Sequence, residues 1–301
     1  MIKTAAVKGA RLKEPSAECG PLGDLCTLAK PGIVAAVAFS GLTGMVLAAK
    51  GLPHPATAFP CVASLLLMAA GAAISNSVLD QGMDREMARL TQRSAALARL
   101  GSKTALAAAC ALTAAAAALS AALLNGTAVK LLLVAAASYT LFYSPLLKRS
   151  THWAAVLGGV PGALPVLIGD AAVAAAPAPA GWSLFLIMLI WQPPHFWLLC
   201  LAHGDEYRKA GIPVLPLVKG ERFAKVCIHL GIAALIPATL LLHYLGPCSA
   251  AYALGAFLLG SCYLLSCSYL VNSAGNYRAA FRGSIAYLLL LFTLIIIDLC
   301  L

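Results

Sequence analysis

Three side chains at four-residue intervals, Asn76, Asp80 and Asp84, follow a long run of alanine, leucine and isoleucine in the stretch "NSVLDQGMDREMARL" (76–90). Residues four apart share a helical face with a drift of about 40° per step, so on a helix these three make one oxygen-rich stripe. Carboxylates beside a membrane-length apolar segment are costly and mark function by default. Side by side they repel and take up protons unless a cation neutralises them. Mg²⁺ suits such oxygens and is commonly held by one or two carboxylates plus substrate phosphates. Arg85, Arg89 and Arg93 come next, Arg89 and Arg93 repeating the step, and guanidinium groups clamp phosphate bidentately. The pattern is that of a diphosphate site built around a divalent ion. A solvated helix end with Asp–Arg pairs has the same spacing, and spacing alone does not choose between the two.

A second polar group lies in "IWQPPHFWLLCLAHGDEYRKAGIPVLPLVKG" (190–220). Pro193 and Pro194 lack backbone N–H groups and are expected to free carbonyls and kink their helix. His195 follows at once, and a histidine within a membrane span is a site hypothesis. Trp191, Phe196 and Trp197 surround it, suited to the wall of a flat apolar pocket or to interfacial anchoring. Further on, Asp205 and Glu206 offer a second pair of cation ligands, or a solvated loop. In "YSPLLKRST" (143–151), Lys148 and Arg149 add cations.

The elements that position these residues are membrane helices. Of the 301 residues 61% are hydrophobic and 11% charged, with mean hydropathy +0.88, whereas soluble domains are about a quarter charged. Nine apolar runs of spanning length are expected at roughly 33–50, 58–79, 104–124, 128–146, 154–172, 182–203, 224–245, 249–271 and 281–301. The fold class is therefore an all-α polytopic bundle: a cytosolic tail over 1–24 and a single membrane domain over 25–301. The alanine-rich third run is expected to pack against other helices rather than lipid. With the N-terminus in the cytoplasm, every one of the 21 basic residues except Lys50 and Lys130 falls on the cytoplasmic side, the positive-inside pattern. The net charge of +10 is then topology, not a nucleic-acid surface. Ten cysteines, scattered and without CxxC spacing, imply neither disulfides nor a thiolate metal site. The two long polar connections, about 80–103 and 204–223, are separated by four spans and so emerge on one face, where the chemistry is expected.

These residues together resemble the UbiA-type intramembrane prenyltransferases, and within them the branch that farnesylates protoheme IX. The resemblance runs over about 25–301 through "LAKPGIV", "NSVLDQGMDREMARLTQR", "YSPLLKRST", "GGVPGALPVLIG", "WQPPHFW", "DEYRKAGIPVLPLV" and "SIAYLLLLFTLIIID". Leu90, Ser94 and Asp170 stand where that branch usually has Thr, Pro and Trp. The resemblance implies farnesyl diphosphate bound through Mg²⁺ to Asp80 and Asp84, with Asn76 completing the catalytic stripe and Asp205 and Glu206 near a second ion. Arg89, Arg93, Lys148, Arg149 and Tyr207 would take the diphosphate. His195 would contact heme B, the second substrate, and the product would be heme O. It also implies a bacterial cytoplasmic membrane, with heme A synthase or oxidase-assembly proteins as the partners met there. A quinone-precursor aromatic is the alternative acceptor. A transporter is disfavoured because the acids cluster in same-face loops rather than at mid-span. A scaffold protein would leave acids and arginines without a common purpose.

Overall fold

The computed structural model describes residues 20–301; most of the expected tail, residues 1–19, lies outside them. Among the described residues there is no strand, and nine helices are long and apolar enough to cross a membrane. They are Pro31–Ala49, Pro55–Leu79, Ser102–Leu123, Gly126–Ser150, Ala154–Ala174, Pro179–Ala202, Glu221–Tyr244, Ala250–Ser273 and Tyr277–Cys300, called here the first to ninth spans. Each lies within a few residues of its expected position. Proline opens the first, second and sixth, where its missing N–H would have no helical partner anyway. The side chains of Asn125, Ser249 and Asn276 cap the fourth, eighth and ninth.

The fifth span is the most enclosed. It packs against the first, fourth and sixth, and residues Ala163–Ala172 are buried without a break. Its approach to the first span is backbone to backbone: a Cβ on Gly169 would collide with the Gly41 carbonyl, and one on Gly44 with Val166. Small residues allow such contact, which substitutes for a hydrophobic driving force between membrane helices. The third span is different from its expectation. It packs closely on the second through Ala105, Ala109 and Ala116, but it is peripheral and most of its alanines face outward. Alanine serves one tight seam here, not burial all round. The nine described cysteines are free.

Three local features shape the basic face. A helix Pro21–Ala29 precedes the first span, taking in the last residues of the expected tail, and docks on the helix Thr91–Leu100. Asp24 and Arg99 pair across that seam. The long connections are themselves mostly helical: Gln81–Arg85, a 3₁₀ turn Ala88–Leu90 and Thr91–Leu100 in one, Gly204–Lys209 and Leu215–Val218 in the other. Within the fourth span, Ser138–Leu147 winds as a π-helix that carries Pro145, a feature that recurs at functional sites. The proline pair in the sixth span does not break it; Pro179–Ala202 is one continuous helix.

Asp170 lies at the opposite end of the bundle from the acid stripe, fully buried. One carboxylate oxygen accepts the Ala178 N–H at 2.9 Å, ahead of Pro179, which opens the sixth span. Its departure from the family pattern thus has a structural place in a turn.

Candidate active site

Asn76 sits in the last turn of the second span, Asp80 ends it, and Asp84 lies in the helix Gln81–Arg85. Backbone hydrogen bonds run on through the junction, Asp80 N to Asn76 O and Asp84 N to Asp80 O, both 2.9 Å. The four-residue stripe therefore survives the change of helix. All three side chains are buried, Asp80 to 1% and Asp84 to 4% exposure.

A base from another element meets each of these groups. Lys148 Nζ donates to Asp80 Oδ2 at 2.5 Å, and Asn76 Nδ2 donates to the same oxygen at 2.8 Å. Arg93 Nη1 donates to Asp84 Oδ2 at 3.1 Å. Ser144, in the π-helical segment, accepts from Asn76 at 3.0 Å and hands its own proton to the Tyr139 carbonyl five residues back. Lys30 Nζ donates to Asn76 Oδ1 at 2.6 Å. Lys30 occupies the break between the helix Pro21–Ala29 and the first span with φ of 58°. A left-handed backbone on a non-glycine residue is a strain that active sites retain. Burial, with Arg93 and Lys148 nearby and only partly offset by Asp84 and Asp80, pulls its ammonium from 10.5 down to about 7.

The second loop reaches the same face. Arg89 donates to Glu206 Oε2 at 3.0 Å and to the Tyr207 hydroxyl at 3.1 Å. Tyr207 is buried, which raises its phenol above the ordinary value. His203 is held below its usual value by burial and then by Arg89, with Glu206 opposing. Asp205 does not join the cluster. The 100° turn per helical residue points it outward, 86% exposed and paired with Arg208 at 2.6 Å. Its expected part in a second cation site has no geometric support here. Arg149 is at the rim, donating to the Leu79 carbonyl at 2.8 Å.

Among the described residues no three Asp, Glu, His or Cys side chains converge to hold a metal by themselves. The stripe nevertheless fits Mg²⁺. Asp80 Oδ1 is sealed from solvent without a hydrogen bond, a hard oxygen whose lone pairs are unused, and Mg²⁺ takes few protein carboxylates and leaves the rest of its shell to water and phosphate.

Beside the stripe a cavity of about 300 Å³ enters the bundle. Lys30, Tyr139 and Tyr143 contribute its polar groups, while Val37, Leu65, Met68, Leu132 and Ile168 make its walls apolar. Gln192, from the "WQPPHFW" motif, closes one side and donates to the Gly159 carbonyl at 2.7 Å. His195 is not among the residues lining this cavity. It lies at the seam of the sixth and ninth spans, its ring between Trp191 and Phe281. Sequence reasoning missed Lys30, Ser144, Tyr139, Tyr143 and Gln192 as site residues. Lys30 had a signal, a lysine directly before the proline that starts a span; Ser144 had none.

A sequence model of the UbiA prenyltransferase family matches residues 37–295. A protein of Geotalea uraniireducens named protoheme IX farnesyltransferase is 47% identical over 85% of this chain and 99% of its own. One of the same name from Aquifex aeolicus is 34% identical over 90% and 93%. Among solved structures, the apo UbiA homolog of Aeropyrum pernix aligns over 88% of this chain and 98% of that one, with TM-score 0.72 at 21% identity. The Archaeoglobus fulgidus UbiA homolog bound to DMAPP and Mg²⁺ aligns over 90% and 99%, with TM-score 0.65 at 16% identity; both likenesses are of fold. The matched family, the relatives and the bundle agree: the chain is a multi-pass membrane protein that belongs to the UbiA prenyltransferase family.

Proposed function

We propose that the protein transfers a farnesyl group from farnesyl diphosphate to a vinyl group of heme B, giving heme O, at the cytoplasmic face of a bacterial inner membrane. The observation that carries the prenyl-transfer chemistry is the apolar cavity opening beside the buried Asn76–Asp80–Asp84 stripe. The acceptor rests on the name shared by the Geotalea and Aquifex relatives. The isoprenoid tail lies along Val37, Leu65, Met68 and Leu132, which exclude water from the reacting carbon. The diphosphate lies at the charged end, where Lys30, Arg89, Arg93, Lys148 and Arg149 supply cations and the Tyr207 hydroxyl a hydrogen bond.

Asp80 and Asp84 are the residues that would hold the divalent ion, whose charge would offset that of the diphosphate when bound. The acids and bases now paired exchange partners when substrate arrives: the arginines and lysines turn to phosphate, and the carboxylates are freed. Cleavage of the allylic C–O bond leaves a farnesyl cation, and the fixed positive charges stabilise the departing diphosphate. The vinyl carbon of heme B forms the new C–C bond. Water adds to the resulting cation and loses a proton, which leaves the hydroxyl group of heme O. Glu206 is the carboxylate that holds Arg89 until the phosphate takes its place.

The test uses purified protein with Mg²⁺, farnesyl diphosphate and heme B, read by mass spectrometry. Heme O is expected, with Asp80→Ala and Asp84→Ala each losing at least ~100-fold in rate, the scale of removing a transition-state charge contact. Prenylation of a benzoate or naphthoate in place of heme would move the acceptor to a quinone precursor, and full activity in the aspartate variants would overturn the mechanism.

A further inference from the structure

His195 makes a hydrogen bond whose direction its surroundings dictate. Its Nδ1 lies 2.6 Å from Ser284 Oγ. Ser284 Oγ lies 2.6 Å from the Phe281 carbonyl oxygen. Two oxygens at that distance need a proton between them, and a carbonyl has none to give. The serine hydrogen is therefore spent on Phe281, so Ser284 can only accept from the imidazole. Nδ1 carries the ring proton, and Nε2 keeps its lone pair.

Among the described residues nothing uses that lone pair. No hydrogen bond is formed at Nε2 among the described residues, and it is not one of the polar atoms sealed inside the bundle. The ring plane is held as well. Trp191 stacks on one side at 4.3 Å and 19°, and Phe281 stacks at 4.6 Å and 27°. The Trp191 indole N–H is bonded to the Ser284 carbonyl at 3.0 Å. Ser284 is itself fully buried, so one residue of the ninth span fixes both the tautomer of the histidine and the indole stacked on it.

We infer that Ser284 is a positioning residue that locks His195 in the Nδ1–H tautomer, presenting a neutral Nε2 as an axial ligand to the iron of the heme acceptor. This rests on the heme-farnesylating reading above. Metal-bound histidines generally donate their other ring N–H to an oxygen acceptor, and losing that acceptor weakens metal affinity by about 10- to 100-fold. Only a ring with Nε2 deprotonated can ligate through that atom.

The experiment uses the full chain in detergent, labelled with ¹⁵N-histidine, the His195 signals being identified by their loss in His195→Ala. Without heme, a protonated Nδ1 and an unprotonated Nε2 are expected in the wild type; the opposite tautomer would overturn the proposal, whatever the variants do. Heme B is then titrated and its absorption followed. Wild-type protein is expected to show a histidine-ligated Soret band that His195→Ala loses. Ser284→Ala, with an unchanged size-exclusion profile, is expected to shift that band and to bind heme about 10- to 100-fold more weakly. Wild-type band and affinity in Ser284→Ala, with His195→Ala still defective, would defeat the positioning role and leave the heme reading intact. An unchanged band in His195→Ala would defeat iron ligation by His195. Failure of the wild type to bind heme would defeat the functional reading itself.

Discussion

Lys30 is where a single residue changes the account of the site most. Its side chain reaches Asn76 at 2.6 Å and lines the cavity at its charged end, so it stands between the acid stripe and the tail-binding space. Replacing it by methionine keeps much of its length and removes the ammonium. A charge-assisted hydrogen bond contributes about 1.5–3 kcal/mol, so Lys30→Met is expected to raise the KM for farnesyl diphosphate by about 10- to 100-fold, with kcat changed less, in steady-state assays of heme O formation. The stripe itself was legible from sequence because carboxylates every four residues leave a mark that survives any context. Lys30 was not, because a lysine at the end of a span already has a sufficient explanation in a positive-inside topology. Asp205 and Glu206 were adjacent acids of equal promise; one turn of geometry, invisible in a loop of unknown conformation, sends Asp205 to solvent and Glu206 to Arg89.

At the scale of elements, the helix Pro21–Ala29 and the helix Thr91–Leu100 form a brace outside the bundle, joined by Asp24 and Arg99. The Arg99 guanidinium holds the Asp24 carboxyl below its usual 3.8. A depressed carboxyl contributes stability that is present above the unfolded value and lost as pH falls through the folded one. Hydrogen exchange in 21–29 is therefore expected to stay slow down to about pH 4 and to accelerate below it. Asp24→Asn should exchange faster at neutral pH and show little further acid dependence. A second prediction concerns the seam of the first and fifth spans. Gly169→Val places methyls against the Gly41 carbonyl, and overpacking of about 1–3 kcal/mol or more should lower the midpoint of thermal unfolding in detergent. Hydropathy marked all nine spans, since each is a predominantly apolar run of spanning length. It could not mark the π-helical turn at Ser138–Leu147, which depends on the bond pattern of the backbone rather than on composition, and which delivers Ser144 and Lys148 to the stripe.

For the molecule as a whole, the proposed function would have the two halves of the reaction served by different seams. The acid stripe and the apolar cavity belong to the first, second, fourth and fifth spans, with Gln192 the contribution of the sixth; His195 belongs to the seam of the sixth and ninth. Sequence could place both motifs on the same side of the membrane but not on different flanks of the sixth span, because Gln192 and His195 are three residues apart and only the packing of neighbouring helices shows which flank each one meets. Chelation should separate the halves. With EDTA, heme O formation is expected to fall to background and to return with Mg²⁺, while the heme absorption band stays in place; loss of the band on chelation would tie the two substrates to one metal-dependent site.

The pairing of Asp80 with Lys148, Asp84 with Arg93 and Glu206 with Arg89 gives the free protein an electrically quiet mouth. Separate acidic and basic patches would broadcast opposite fields into solution; these pairs cancel within a few ångströms, where salt screening has little left to act on. The excess of basic residues around it, 21 against 11 acids in the chain, still attracts anions to the face; the pairs decide only what happens at the stripe. On the proposed function, selectivity for a prenyl diphosphate would begin only once its head group is close enough to part a carboxylate from its base.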